Sequence, residues 1–356
     1  MPLIVVIAPD SFKGSLGARA AAEAIAEGWR SVRVHDELHL VPQADGGEGT
    51  AEAVEAAVPG SVRHAAGAVT GPDGRSVEGE WLELPDGTAF VELATSSGLP
   101  LMASLDPLGA TTRGLGETIL AALDAGATKL IIALGGSAST DAGAGALAAL
   151  GLGLLDEQGE FVADGGGRLG DIIAIDRSGL RPAPATVTLL TDVTAPLLGP
   201  TGAAAIFGPQ KGATPQQVER LERALSQFAQ LLGGAPAAAG SGAAGGTAFG
   251  LATVWGAVIE PGADYLARLT GLDALIERAD LVLTGEGHFD EQSLMGKGVG
   301  RILERAGSKA GVIAGRVSAT APWTASLSEL AGSAQAAMSD PQHWLREAGA
   351  KAAREL

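Results

Sequence analysis

The run Leu3–Ala8 is continuously apolar and rich in β-branched residues, the pattern of a strand buried on both faces of a parallel sheet. It opens into "PDSFKGS" and a helical stretch from about Leu16 to Trp29. A second short strand, Leu38–Val41, opens into "PQADGGEGT" and a helix near Thr50–Ala57. Strand, loop and helix repeated in this order predict a doubly wound α/β sheet.

The pattern changes between about Ser61 and Leu93. Short alternating segments with turn signals Pro72-Asp73-Gly74 and Pro85-Asp86-Gly87 predict antiparallel hairpins. A helix near Glu117–Ala125, strand Leu130–Leu134, the loop "GGSASTDAGAGA" and strand Val187–Leu190 follow. Thr214 and Gln217 form a capping-box pattern with Pro215 at the first helical position. Residues 233–246 have either the composition of a linker or that of a tight loop where backbone meets backbone. Parallel-sheet character returns after Ala274, with strands expected at Leu281–Leu283, Val312–Ala314 and Ala334–Met338. A last helix is expected from Asp340-Pro341. The expected architecture is a two-domain α/β chain. A doubly wound parallel-sheet domain, residues 1–66 and 274–356, is interrupted by a second, mixed α/β domain, residues 67–273.

Bulk properties narrow the function. A chain of 356 residues exceeds one ordinary core. A net charge of −17 disfavours nucleic acid and anionic lipid as partners. No apolar run approaches the ~18–20 residues of a membrane span. "MPLIVVIAPD" reads as a buried strand rather than a signal peptide, and cysteine is absent. A cytoplasmic location is therefore expected. Whether two copies form a homodimer is left open.

Lysine is scarce, with six against 18 arginines, yet three lysines directly precede glycine in loops: Lys13, Lys211 and Lys297. A mobile ammonium beside an approachable backbone suits phosphate oxygens. Asp10, Asp45, Asp192 and Glu286 each follow an apolar strand, with Asp141 farther along its loop. Open α/β sheets bind ligands at that edge, and carboxylates there suit Mg²⁺ or proton transfer from a hydroxyl. Capping of the next helix is the competing role for such acids. "GGSASTDAGAGA", "FGPQKGA" and "TGEGHFDEQSLMGKG" have the makings of anion cradles. None matches the P-loop pattern GxxxxGK(S/T), and the HRD and DFG triplets of protein kinases are absent. Five scattered histidines form no metal pair along a helix, and only His288 falls in a candidate loop.

Taken together, "APDSFKGSL", "ADGGEGT", "GGSASTDAGAG", "TDVTAPLLG", "GAAAIFGPQKGA", "GSGAAGG" and "TGEGHFDEQSLMGKG" resemble, in order, the bacterial type 1 glycerate kinase family. The resemblance implies ATP- and Mg²⁺-dependent phosphorylation of D-glycerate, generally at the 2-hydroxyl, in a cleft between two domains. On the matching positions, Asp10, Ser11, Lys13 and Asp45 are the expected substrate residues. Gly135, Gly136, Ser137, Asp141 and Lys211 are expected to hold nucleotide. Asp192 and Glu286 are the expected metal ligands, with Lys13, Asp192, Asp290 and Lys297 as the catalytic set. Three places depart from the common pattern: Ser139-Thr140-Asp141-Ala142 replaces Thr-Asn-Asp-Gly, Ala195 replaces an asparagine, and His288-Phe289 stands where Arg-Leu or Arg-Ile is frequent. Competing readings are a kinase or Mg²⁺-dependent phosphatase for another small hydroxy acid, and a non-catalytic sugar-acid binding protein.

Overall fold

The computed structural model describes residues 2–12, 14–295 and 298–356. Among these the strands are, in chain order, β1 (Ile4–Pro9), β2 (Glu37–Leu40), β3 (Val62–Thr70), β4 (Ser76–Glu83), β5 (Thr88–Glu92), β6 (Lys129–Ala133), β7 (Gly153–Leu155), β8 (Ala174–Asp176), β9 (Thr186–Leu190), β10 (Val258–Glu260), β11 (Leu281–Phe289), β12 (Ala310–Val317) and β13 (Trp323–Ser326). The chain divides into two compact units. Met1–Asp45, Glu52–Pro59 and Ala263–Leu356 form the first; Gly46–Ala51 and Gly60–Gly262 form the second. The boundary expected at 66/67 falls inside β3, which pairs antiparallel with β4 and so belongs to the second unit.

The first unit is built on a parallel sheet in the order β13-β12-β11-β1-β2. Alternation along β1 serves both faces. Val5 and Ile7 pack with Ile25, Trp29 and Leu345, while Val6 and Ala8 pack with Leu272, Ile276 and Ile302. Full burial of each aliphatic side chain contributes roughly 1.5–3 kcal/mol. The helix Ala18–Arg30 also presses directly on the last helix, Pro341–Glu355. A β-carbon on Gly28 would lie 1.9 Å from the Arg346 carbonyl oxygen, and one on Gly349 would lie 2.3 Å from that of Ile25. Glycine on both helices allows backbone to meet backbone.

The second unit carries a mixed sheet in the order β10-β9-β6-β5-β4-β3. β3, β4 and β5 are the expected antiparallel hairpins, turning at Gly74 and Gly87 with φ of +83° and +78°. β5, β6, β9 and β10 are mutually parallel. A separate two-stranded ribbon joins β7 and β8. The helix Pro215–Leu232 starts with the expected capping box, Thr214 and Gln217 bonding reciprocally. No helix among the described residues is long and apolar enough to cross a membrane.

Two sequence-expected strands are corrected. Ala334–Met338 lies in a helix, Ala334–Ser339, whose N-terminus is capped by the Ser333 hydroxyl accepting from Ala336 N–H at 3.1 Å. The edge strand is instead β13, whose four residues, WTAS, carry no apolar run to announce it. The strand expected at Leu281–Leu283 continues to Phe289, paired with β12 as far as Val317. Glycine permits this extension: a β-carbon on Gly285 would lie 2.0 Å from the Ile313 carbonyl oxygen. Glu286 therefore stands within a strand rather than beyond its end.

Candidate active site

In the second unit the parallel strands β5, β6, β9 and β10 end in register. Glu92 pairs with Ala133, Ala133 with Leu190, and Leu190 with Glu260. The loops that follow share one edge of the sheet, where open α/β folds bind ligands. Gly135-Gly136-Ser137 leaves β6 and is fixed immediately. Gly135 N–H donates to the Gly46 carbonyl at 2.8 Å, and a β-carbon on Gly135 would fall 2.2 Å from Gly47 Cα. Leu99 N–H donates to the Gly136 carbonyl at 2.8 Å. The loop of Gly135 is thus laid against the loop that follows Asp45.

Asp141 and Lys211 are both buried with their charged groups on partners inside the protein. The Asp141 carboxylate is fully buried; its Oδ2 accepts from Thr112 N–H at 2.9 Å, Thr112 Oγ1 at 2.8 Å and Gly145 N–H at 3.2 Å. Its Oδ1 accepts from Gly143 N–H at 3.1 Å. Burial raises its pKa, and these hydrogen bonds pull it back. Lys211 is 2% exposed and donates Nζ to the Ser139 carbonyl. Burial lowers its pKa to about 8, with the Asp141 charge opposing the shift. Both residues brace the loop from inside, so any part they play in holding nucleotide is through the loop they support. Between them Ala142 sits in the left-handed region at φ +52°, at a position where the family pattern has glycine.

Two further loops interlock with this one. Gly242 N–H donates to the Ala195 carbonyl at 2.9 Å, a contact that uses only the Ala195 backbone. Ala142 N–H donates to the Gly245 carbonyl at 3.0 Å. A β-carbon on Gly242 would meet the Pro196 carbonyl oxygen at 2.2 Å. Residues 233–246 are therefore a tight loop rather than a linker. Asp192 lies two residues past β9 and is partly exposed.

Glu92 escaped the sequence reading. It is 4% exposed, and its Oε1 and Oε2 accept from Gly49 and Ala51 N–H, each at 2.8 Å. A carboxylate at the start of the helix Thr50–Ala57 meets its unpaired N–H groups and its dipole. Burial raises the Glu92 pKa against the pull of these donors. The available signal was the same one that singled out Asp192: an acid closing an apolar strand, here "TAFVE".

In the first unit Asp10, Ser11, Glu286 and His288 line one pocket of about 410 Å³. Asp10 N–H donates to the Gly285 carbonyl at 2.8 Å, which ties the end of β1 to β11. Glu286 is half-buried, and its Oε1 has no hydrogen-bond partner among the described residues. Burial raises its pKa, the Asp10 and Asp290 charges add to the rise, and a hydrogen bond from Ser293 opposes it. Asp290 caps the following short helix, its Oδ1 accepting from Gln292 N–H at 2.9 Å and Ser293 N–H at 3.2 Å. His288, standing where the family pattern often has arginine, contacts Ser318 Oγ at 3.0 Å. Asp45 is exposed in the loop after β2. Lys13 and Lys297 lie outside the described residues. Asp192 and Glu286, expected as joint metal ligands, belong to different units. Among the described residues no group of three acidic or histidine side chains is arranged to hold a metal ion. Mg²⁺ commonly takes only one or two carboxylates besides water and phosphate, and the unpartnered Glu286 Oε1 is a donor of the hard type it prefers.

Two α/β units with glycine, hydroxyl and carboxylate loops on parallel-strand edges define a binding fold for small polar ligands. The particular kind is given by comparison: the chain belongs to the glycerate kinase family, a family of phosphotransferases, whose sequence model matches residues 5–356. It is 45% identical over 303 residues to the glycerate 2-kinase of Escherichia coli K12, covering 82% of this chain and 79% of that one. It is 44% identical over 303 residues to the glycerate kinase of Bacillus subtilis 168, with the same coverages. A crystal structure described as glycerate kinase 2 from Salmonella typhimurium LT2 superposes with a TM-score of 0.81 at 38% identity, covering 100% of both chains.

Proposed function

We propose that this chain phosphorylates D-glycerate with ATP in the cytoplasm, giving 2-phosphoglycerate in preference to the 3-isomer. The observation that carries the reading is the extent of the family match, which spans both units and every loop named above. Phosphoryl transfer asks a protein mainly for alignment and charge stabilisation. The Gly135-Gly136-Ser137 loop, fixed by Gly46 from one side and braced through Asp141 and Lys211, supplies a preorganised backbone for phosphate oxygens. Lys13 and Lys297 are the proposed cations for phosphate oxygens, and Asp45 with Lys13 would receive the hydroxy acid. Glu286, through its unpartnered Oε1, is the proposed ligand for Mg²⁺, which would neutralise phosphate charge when bound, and Asp192 is a second candidate ligand on its own unit. Asp290 is the proposed proton acceptor through Oδ2, because its Oδ1 is engaged in the helix cap.

The test is an ADP-release assay with Mg²⁺ and ATP over D-glycerate, tartronate and longer aldonates, with NMR of the phosphorylated product. ADP formation with D-glycerate and a 2-phosphoglycerate spectrum are expected. Phosphate release without ADP would mark a phosphatase. Tight binding of the acid with no response to nucleotide would mark a receptor and end the kinase proposal.

A further inference from the structure

The pocket in the first unit is too large and too apolar to be only a three-carbon acid site. Besides Asp10, Ser11, Ser15, Glu286 and His288, it is walled by Phe12, Leu327, Ala337, Met338 and Pro341. Pockets that hold drug-sized ligands begin at roughly 300 Å³, and this one measures about 410 Å³. Glycerate, with a hydroxyl or carboxylate oxygen on every carbon, has no surface to bury against such a wall. Placing polar groups there without partners costs free energy.

The topology gives the pocket its second distinguishing feature. From β1 the chain crosses to β2 on one side through the helix Ala18–Arg30. From β11 it crosses to β12 and then β13 on the other side, beginning with the helix Val299–Ala306. The first helix packs on the face carrying Val5 and Ile7, and the second, through Ile302 and Ala306, on the face carrying Val6 and Ala8. The winding therefore reverses between β1 and β11. Asp10, Ser11, Phe12 and Ser15 follow β1, and Glu286 to His288 belong to the C-terminal half of β11, so the pocket opens at the switch point of the sheet. Crevices at that position in doubly wound sheets are where nucleotides bind.

We infer that this pocket takes the nucleoside of the phosphoryl donor, its base against Phe12, Leu327, Ala337, Met338 and Pro341 and its ribose near the Ser11 and Ser15 hydroxyls. The inference rests on the kinase reading above and moves Asp10 and Ser11 from the acid's site to the nucleotide's. A flat, largely apolar ring matches the wall, and the neutral nucleoside is the part of ATP best suited to lie beside carboxylates.

Met338 is 61% exposed, so Met338→Trp can fill the pocket without entering the core. The experiment is steady-state kinetics of wild type and Met338→Trp with each substrate varied, together with calorimetry of AMP binding to both. The expected result is a rise of tenfold or more in KM for ATP, KM for D-glycerate within twofold of wild type, and AMP binding to wild type weakened to the same degree in the variant. A rise confined to D-glycerate, an equal rise for both substrates, or no change in either would overturn the assignment. If wild type shows no kinase activity, the proposed function itself fails. The AMP titration then still decides the pocket: binding that Met338→Trp abolishes supports a nucleoside site, and absence of binding to wild type ends it.

Discussion

Gly135 N–H and the Gly46 carbonyl oxygen are 2.8 Å apart, a hydrogen bond between residues 89 positions apart in sequence that joins two glycine-rich loops. Neither partner tolerates a side chain easily. A methyl group at Gly135 would fall 2.2 Å from Gly47 Cα, and one at Gly46 would fall 2.9 Å from the Leu190 carbonyl oxygen. Gly135→Ala must therefore push the two backbones apart. Displacements of about 1 Å in positioning elements cost on the order of 10²-fold in rate. A loss of that size in kcat/KM for glycerate phosphorylation is expected, with a folded variant by circular dichroism. Activity within threefold of wild type would show that the contact is incidental.

Glu92 supports the same region from below. Glu92→Gln keeps the shape but replaces one acceptor oxygen by an NH₂ group, so either Gly49 or Ala51 N–H faces a donor. Leaving a buried donor unpaired costs about 1–3 kcal/mol. Urea unfolding should show a loss in that range, and Glu92→Asp, too short to reach both amides, should not restore it. Stability equal to wild type in Glu92→Gln would mean that water or another acceptor meets those amides.

The helix crossing in the first unit sets a prediction independent of function. Gly28→Val inserts two γ-carbons where even a β-carbon lies 1.9 Å from the Arg346 carbonyl oxygen. Overpacking of this kind costs about 3 kcal/mol or more, because backbone rather than a flexible side chain must move. A lowered urea midpoint with an unchanged m value is the expected result. A variant as stable as wild type would show that the two helices can part freely.

What the sequence discloses and what it withholds follow from the range of each interaction. β1 is legible because four consecutive apolar residues can be buried only between two helical layers. β13 is not, since WTAS lies at a sheet edge and needs no apolar run, while the apolar Ala-rich stretch capped by Ser333 has a strand-like composition yet folds as a helix. The loops that carry chemistry were visible from their residue types. Which charges face inward is not, because it depends on distant partners: Asp141 is held by donors that include Thr112, 29 positions away, and Lys211 by a carbonyl 72 positions away. Glu92 ends an apolar strand as Asp192 nearly does, but that its carboxylate turns onto amides 43 and 41 positions earlier is again a matter of distant partners.

Lys211 makes that hidden charge measurable. Its ordinary pKa of 10.5 falls to about 8 in the folded chain because burial disfavours the ammonium. Between those two values the unfolded chain binds more protons than the folded one, so this residue's contribution to stability rises with pH across the window. Below about pH 8 both states are protonated and the full cost of burying the charge is carried. Lys211→Met removes the titration while keeping an unbranched buried side chain. The stability of wild type relative to Lys211→Met should therefore increase between pH 7 and pH 10, on the order of 2 kcal/mol from the size of the shift. Urea unfolding of both proteins at several pH values gives the difference directly. A difference that stays flat, or shrinks as pH rises, would place the Lys211 ammonium in a solvated setting and remove it as the internal brace of the 135–141 loop.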